Sequence, residues 1–173
     1  MKVVALLAGC ILIVTCVLYI VSNAVPSWAQ ISSERPSIAY GLWKSCRLTS
    51  DGTQCGPLGC SGVLIVSGLC SRILAGRAFM TLACILSGIT TICLFICAFT
   101  DIGKNRILLL ITKALAFGCL IMGIIGVGVG GSIIQILSVG NVKYSLGAAS
   151  TLGVVAIIIN LVGAVASVFI KQS

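Results

Sequence analysis

Long apolar runs without charge, separated by short groups of charged residues, dominate the pattern of this chain. Four runs carry no charge at all, at 3–33, 78–100, 114–142 and 144–170. A helix needs about 20 predominantly apolar residues to cross the hydrocarbon core of a bilayer. Because lipid offers no hydrogen-bond partner to the backbone, helices are favoured over open strands. The pattern therefore predicts four transmembrane helices, at 3–25, 78–98, 115–137 and 146–170.

The composition agrees with an integral membrane protein. Of the 173 residues, 59% are hydrophobic and 8% are charged, whereas soluble domains are about half apolar and about a quarter charged. Runs such as 107–111 are continuously apolar, unlike the alternating strands of a membrane barrel. The first run has an alternative interpretation as a signal peptide that ends at Ala24. Its apolar stretch from Val3 to Val21 is long for that, so a retained helix is favoured.

Four helices place both termini on one side of the membrane. Residues 26–77 then form a large loop on the other side together with a short loop at 138–145, while 99–113 and the tail 171–173 lie with the termini. Cytoplasmic loops are enriched in Lys and Arg near the helix ends. The counts are nearly equal, but the DIGKNR segment at 101–106 concentrates its charge, which favours cytoplasmic termini. The basic residues are Lys2, Lys104, Arg106, Lys113 and Lys171 on the terminal side, and Arg35, Lys44, Arg47, Arg72, Arg77 and Lys143 on the other.

Four of the ten cysteines fall in the large loop, at Cys46, Cys55, Cys60 and Cys70. An even set in a short loop is typical of two disulfides formed in an oxidising compartment. Four cysteines allow three pairings. Free or metal-binding thiols are the alternative, which is disfavoured because the chain has no His and no Cys-x-x-Cys. We expect neither a metal nor a cofactor.

The predicted helices contain three features with more than one interpretation. Cys93 and Cys97, near the cytoplasmic end of the second helix, are candidates for palmitoylation. Gly126 and Gly130 form a GxxxG pair, which favours close packing within the bundle over a dimer seam. Asn160 is a strongly polar amide deep in the fourth helix. We expect it to bond to a neighbouring helix rather than form a transport site, because intramembrane acids and bases are absent from the sequence.

The large loop has the pattern of a small β-sheet. Strand-like pieces are SIAYGLW, KSCRLTS and, more weakly, GVLIV. Asp51-Gly52 is a strong hairpin signal. Cys46 and Cys55 flank it on adjacent antiparallel strands, where a cross-link would lock the hairpin. Trp28 falls where the first helix leaves the membrane, and Trp43 is interpreted as a core residue of the sheet or part of an interfacial aromatic ring.

These residues resemble the W-GLW-C-C-R signature of the claudin superfamily. The matching positions are Trp28, Gly41, Leu42, Trp43, Cys46, Cys55 and Arg77. The resemblance covers nearly the whole chain and extends to the segments ILAGRAFM, KALAFG and LGAASTLG at the helix entries. It implies a single domain over 1–173: a left-handed transmembrane four-helix bundle that carries a small extracellular antiparallel sheet.

The resemblance also implies roles for the motif residues. Cys46 and Cys55 would form the family disulfide, which leaves Cys60 and Cys70 as a second pair. Trp28 and the Gly41-Leu42-Trp43 turn would seat the sheet on the helix ends, with Arg77 close by. The sequence departs from the claudin pattern in three features that bear on anchoring at junctions: the segment between Trp28 and Gly41 is short, the second loop lacks the aromatic-acidic-proline cluster, and the C-terminal tail is short. Because of the short tail, binding to a scaffold domain is not expected.

The leading functional hypothesis is a structural protein of cell–cell junctions in the plasma membrane. It would associate in lipid with itself or other claudin-like proteins, within one membrane and across cells, and form a paracellular barrier or pore. The loop 26–77 carries a net charge of +3. Arg47 directly follows Cys46, where the family often carries its selectivity charge, and together with Lys44 and Arg35 it predicts an anion-favouring path. The alternative is that these residues form a solvated face.

Two other classes of function make different demands on the sequence. Peripheral-myelin and epithelial membrane proteins and calcium-channel gamma subunits share the GLW-C-C pattern, so an auxiliary channel subunit or a membrane organiser is the runner-up. A membrane thiol oxidoreductase needs a reactive Cys-x-x-Cys pair, and acid–base catalysis needs groups that the spans lack. We therefore expect no enzymatic activity and no nucleic-acid partner.

Overall fold

The described residues, in a computed structural model, form four helices and a small sheet, as the sequence predicts. The structure describes residues 2–31, 37–49, 52–59, 68–99, 106–137 and 144–169. The helices are α1 (Lys2–Ala24), α2 (Leu69–Phe99), α3 (Arg106–Leu137) and α4 (Ala148–Val168). Each is long and apolar enough to cross a membrane. The fold class is therefore a multi-pass helical membrane protein.

Helices α2 and α3 begin earlier than the uncharged runs suggest. α2 starts at Leu69, directly after Gly68, whose φ of +65° is readily adopted by glycine. α3 starts at Arg106. A charged side chain ends an apolar run but leaves the backbone hydrogen bonds of a helix intact, so charge marks the hydrocarbon boundary rather than the helix end. As a consequence, Arg72 and Arg77 lie on α2 and not in a loop.

The strands form one five-stranded antiparallel sheet in the order β4-β3-β2-β1-β5. The three strands of the large loop that the sequence pattern suggests near its hairpin are β2 (Ser37–Tyr40), β3 (Lys44–Thr49) and β4 (Gly52–Pro57). The predicted piece at 62–66 lies outside the described residues. Thr49 is paired with Gly52, the first residue of β4, whose φ of +128° is one that glycine adopts readily. Residues 50–51, which connect the two strands, lie outside the described residues.

Two further strands are only three residues long and join the two loops. β1 (Ala29–Ile31) follows α1, and β5 (Tyr144–Leu146) precedes α4. They pair with each other, with Ala29 opposite Leu146. β5 includes Leu146, the residue at which the sequence pattern places the start of the last helix. The pairing shows that the two loops lie on the same side of the bundle.

The core beneath the sheet is filled by large side chains that pack against glycines. Trp28 and Tyr19 are buried, and Met80 is fully buried between helices. A Cβ on Gly130 would collide with the Trp28 ring, and one on Gly126 would lie 2.9 Å from the Met80 sulfur. The GxxxG pair thus serves close packing within the bundle, as the favoured interpretation expects.

Candidate functional site

Trp28 anchors the sheet in the open end of the bundle. Its side chain is 2% exposed, and its indole N–H donates to the Ser22 carbonyl at 2.8 Å. Its backbone N–H donates to the Tyr40 carbonyl at 2.7 Å, which continues the hydrogen bonding of β1 to β2. Burying one large aromatic ring while satisfying its polar tip fixes both the depth and the direction of β1.

The start of α4 is held by the residue before Trp28. Gly147 is the N-cap of α4 and offers no side chain to the free N–H groups. The Ala149 N–H instead donates to the carbonyl and hydroxyl oxygens of Ser27, at 3.1 and 3.2 Å. A Cβ at Gly147 would collide with the Ser27 carbonyl. Capping from a distant segment replaces the missing local cap and joins both loops to the bundle.

The Gly41-Leu42-Trp43 segment makes the turn between β2 and β3. The Gly41 N–H donates to the Lys44 carbonyl at 2.9 Å, and a Cβ on Gly41 would meet the Pro26 backbone. Leu42 is fully buried, and its side chain would lie 3.3 Å from a Cβ on Gly76 in α2. The turn therefore inserts one apolar side chain into the helix ends and requires glycine where two backbones meet.

Arg77 links α2 to this turn. Its guanidinium donates from Nε to the Leu42 carbonyl and from Nη2 to the Leu58 carbonyl, the latter at 2.8 Å. Its Cζ also lies 5.1 Å from the centre of the Trp43 ring. The planar guanidinium of an arginine holds its N–H donors in a fixed fork toward two carbonyls, a rigid geometry that a lysine ammonium lacks.

Trp43 is an exposed residue and not a core residue of the sheet. Its side chain is 47% exposed, and its indole N–H donates to Asn23 Oδ1 at 2.9 Å. Asn23 in turn donates to the Thr81 hydroxyl at 3.4 Å. Of the two interpretations of Trp43, the interfacial ring agrees with this exposure, since tryptophan favours the boundary between lipid and water.

Cys46 and Cys55 form a disulfide between directly opposite residues of β3 and β4, with Cα atoms 4.1 Å apart. Cys46 is buried and Cys55 is exposed. Cys70, on the first turn of α2, is also disulfide-bonded. Its predicted partner, Cys60, lies outside the described residues. The hairpin is therefore covalently closed close to the residue that carries the candidate selectivity charge.

One face of the sheet forms an open groove of about 460 Å³. Arg47 projects from β3 with Ile38 opposite it on β2 and Gln54 opposite it on β4. Its side chain is exposed. Lys44 is also exposed but lies three residues earlier on β3, so the alternation of a strand places it on the opposite face. The groove is lined by Ile38, Tyr40, Ser45, Cys46, Arg47, Gln54, Cys55 and Gly56.

Two tyrosines attach the short-loop strand to this face. The ring centroids of Tyr40 on β2 and Tyr144 on β5 are 6.1 Å apart, with the rings tilted by 53°. Burial raises the pKa of the Tyr144 hydroxyl, and the neighbouring Tyr40 raises it further. The Tyr144 hydroxyl therefore stays neutral near pH 7. Arg47 is the one basic or acidic residue among those that line the groove.

Three other sequence candidates in the described part of the chain, Arg72, Cys93 and Cys97, do not line the groove. Arg72 is exposed on α2, and Arg35 lies outside the described residues. Cys93 and Cys97 are free thiols, half-buried on α2. Cys97 packs against a cluster of buried residues from three helices. Within the described ranges, no group of three or more potential ligands is placed to hold a metal ion.

Sequence reasoning assigned no role to Ser27, Asn23 or Gly147. None of them is one of the seven motif residues, although Gly147 lies within the segment LGAASTLG. Ser27, next to the buried Trp28, accepts a hydrogen bond from the Ala149 N–H at the start of α4. Asn23 accepts one from the indole N–H of Trp43. A polar residue at the end of an apolar run was the available signal for Asn23, because such residues often bond at helix ends.

No protein-family model matches the chain, and a comparison with curated proteins finds no match. The likeness to the claudin superfamily therefore rests on the motif residues and their order, and a role taken from it is a proposal.

Proposed function

We propose that this protein is a claudin-like component of cell–cell contacts, whose extracellular sheet forms a paracellular barrier or an anion-favouring pore. The observation that carries the proposal is the exposed Arg47 guanidinium in a groove of otherwise uncharged residues, on a sheet anchored to a transmembrane bundle. Both termini would be cytoplasmic. The disulfide-bonded hairpin supports an extracellular sheet, because such bonds persist in oxidising compartments.

The charge of Arg47 is large enough to bias ions in a narrow path. The Debye length in physiological salt is about 8 Å, so a unit charge acts strongly on ions that pass within that distance. A wide water layer between cells would screen the charge. A path enclosed by sheets of neighbouring molecules would not, and rings of such charges would favour anions and repel cations.

The fold holds Arg47 in a fixed position. It follows Cys46, whose disulfide closes β3 on β4, and both of its neighbours in the sheet are paired strands. Trp28 and Arg77 connect that sheet to the helix ends. A charge that must select between ions has to be positioned by a rigid scaffold, and this sheet provides one.

The test is electrical measurement on an epithelial monolayer poor in claudins, with and without the protein. Wild type is expected to change the transepithelial resistance and to give a dilution potential that favours chloride. Arg47→Gln should weaken that preference and Arg47→Asp should reverse it, while Arg47→Lys retains it. Lys44→Gln is the matched control, since it removes an exposed positive charge from the same strand but from the opposite face.

Unchanged resistance and potential, with the protein detected at the cell surface, would contradict the proposal. The alternative function is an auxiliary channel subunit or a membrane organiser. One observation favours it: the described part of the short loop, Tyr144–Leu146, is engaged by β1 of the same molecule. The backbone of this loop segment is thus paired within its own molecule and is not free to pair with a molecule on an opposite cell. Co-purification with a channel complex would support the alternative.

A further inference from the structure

The interior of the bundle contains a polar cluster contributed by three helices. Asn160 lies near the middle of α4 and is fully buried, as are Tyr19 of α1 and Cys119 of α3. The Asn160 carboxamide nitrogen is 3.3 Å from the Tyr19 hydroxyl and 3.2 Å from the Cys119 sulfur. The Cys119 thiol donates to the Ala83 carbonyl of α2 at 3.4 Å. The cluster therefore touches all four helices.

The hydrogen bonds of this cluster are incomplete. Among the described residues, Asn160 Oδ1 is the one buried side-chain oxygen or nitrogen atom without a hydrogen-bond partner. The Tyr19 hydroxyl accepts from Asn160, and within the described part of the chain no group accepts its hydrogen. One acceptor and one donor on neighbouring side chains are thus unmatched. A hydroxyl and a carboxamide can make more bonds than these.

Rotating the carboxamide does not remove the mismatch. If Oδ1 and Nδ2 of Asn160 exchanged places, the oxygen could accept from Tyr19, but the amino group would then occupy the unpartnered position. In either orientation one end of the side chain faces the core without a partner. Such a group is costly in an apolar interior, and in native structures it is normally satisfied by protein or by ordered water.

We infer that a single water molecule is bound between the Asn160 carboxamide and the Tyr19 hydroxyl. Water both donates and accepts, so it can meet the carboxamide oxygen and the phenolic hydrogen together. The contacts of Asn160 are with a hydroxyl and a thiol, which makes the site neutral and suits water rather than an ion. Buried waters characteristically occupy sites where polar groups of the protein are otherwise unsatisfied.

The packing around Tyr19 reserves room for its hydroxyl. A Cβ on Gly123 of α3 would collide with that hydroxyl, so glycine at this position lets the polar tip enter the core. Ala83 and Ala156, both fully buried, are small residues of the same core. The bound water would join α1 to α4 at a level where lipid surrounds the bundle and offers no alternative partner.

The inference is testable by magic-angle-spinning NMR of the full-length protein, labelled with ¹⁵N-asparagine, in lipid bilayers. The chain has four asparagines, Asn23, Asn105, Asn141 and Asn160, so the side-chain signals can be assigned by replacing them singly. We expect magnetisation transfer from water to the Asn160 amino group. Tyr19→Phe, which removes one partner of the water, should reduce that transfer several-fold.

The matched control is Thr15→Val, which removes a fully buried hydroxyl one turn away on the same helix. That hydroxyl bonds to the Ile11 carbonyl and not to the cluster, so the transfer to Asn160 should persist. Two results would overturn the inference. One is no transfer to Asn160 in the wild type at a mixing time that gives a signal for Asn23. The other is equal transfer in wild type and Tyr19→Phe, with both proteins monodisperse on gel filtration.

Discussion

The Arg77 guanidinium carbon lies 5.1 Å from the centre of the Trp43 ring, so helix α2 and the turn between β2 and β3 share one stacked contact. The same guanidinium donates to the carbonyls of Leu42 and Leu58. Trp43 in turn reaches Asn23 at the end of α1. The pair thus determines how the sheet sits on the helices.

Replacing Arg77 by Met should destabilise the protein by about 2–3 kcal/mol, because two backbone carbonyls lose a charged donor. Arg77→Lys should recover only part of this, since an ammonium cannot reproduce the fork geometry. The measurement is thermal unfolding of the purified protein in detergent, followed by tryptophan fluorescence. Arg72→Met, an exposed arginine on the same helix, is the control and should change stability by less than about 0.5 kcal/mol.

The contribution of the ring itself can be separated by a double-mutant cycle. Trp43→Leu and Arg77→Met, alone and combined, should show a coupling energy of about 0.5–1 kcal/mol, as expected for a cation over an aromatic face at a partly exposed site. A coupling indistinguishable from zero would mean that Arg77 acts through the two carbonyls alone.

Gly130→Ala should destabilise the bundle by about 1–3 kcal/mol, because the added methyl group overlaps the buried Trp28 ring. The matched control lies two residues away on α3. A Cβ on Gly128 meets no atom within 4 Å, so Gly128→Ala should be neutral or should stabilise the helix by up to about 1 kcal/mol. Both are measured as midpoints of thermal unfolding in the same detergent. Equal effects of the two substitutions would contradict the proposed packing.

The helices could be predicted from sequence because lipid imposes a single requirement, a long uncharged run, that local sequence reports directly. Their ends could not, since Arg72 and Arg106 extend the helices beyond the apolar core without breaking backbone bonds. The hairpin was visible because Asp51-Gly52 and the flanking cysteines are close in sequence. β1 and β5 were not, because each is three residues long and pairs with a segment more than a hundred residues away.

In the candidate site, too, some residues could be predicted from local sequence and others could not. Arg47 could be singled out from its place after Cys46, and its exposure in the groove is a property of the strand register. The sequence does not decide whether Trp43 is a core or an interfacial residue, because an aromatic residue in a short strand suits both. The capping role of Ser27 could not be predicted, because it depends on the start of α4, which is distant in sequence. Contacts between segments distant in sequence leave no local pattern to recognise.

Replacing Cys46 and Cys55 together by Ser should lower the stability of the sheet by about 2–3 kcal/mol, since the cross-link closes a short loop. If the sheet is extracellular, as proposed, the expected result is faster proteolysis of the hairpin on intact cells and weaker delivery to the surface. Cys10→Ala, at an exposed free thiol on α1, is the control and should leave both unchanged. Resistance to protease equal to wild type would show that the β3–β4 hydrogen bonds suffice.

Ser27→Ala tests whether the two loops are joined through the start of α4. Its hydroxyl accepts from the Ala149 N–H at 3.2 Å, while the Ser27 carbonyl accepts from the same N–H at 3.1 Å. Because one acceptor remains, the loss should be about 0.5–1 kcal/mol, at the low end for a helix cap. Gly147→Ala should cost more, since its methyl group overlaps the Ser27 carbonyl and forces the segments apart. Hydrogen exchange at residues 148–151 in lipid nanodiscs measures both. Exchange should accelerate modestly for Ser27→Ala and strongly for Gly147→Ala, and no acceleration in either variant would show that α4 is capped independently of the first loop.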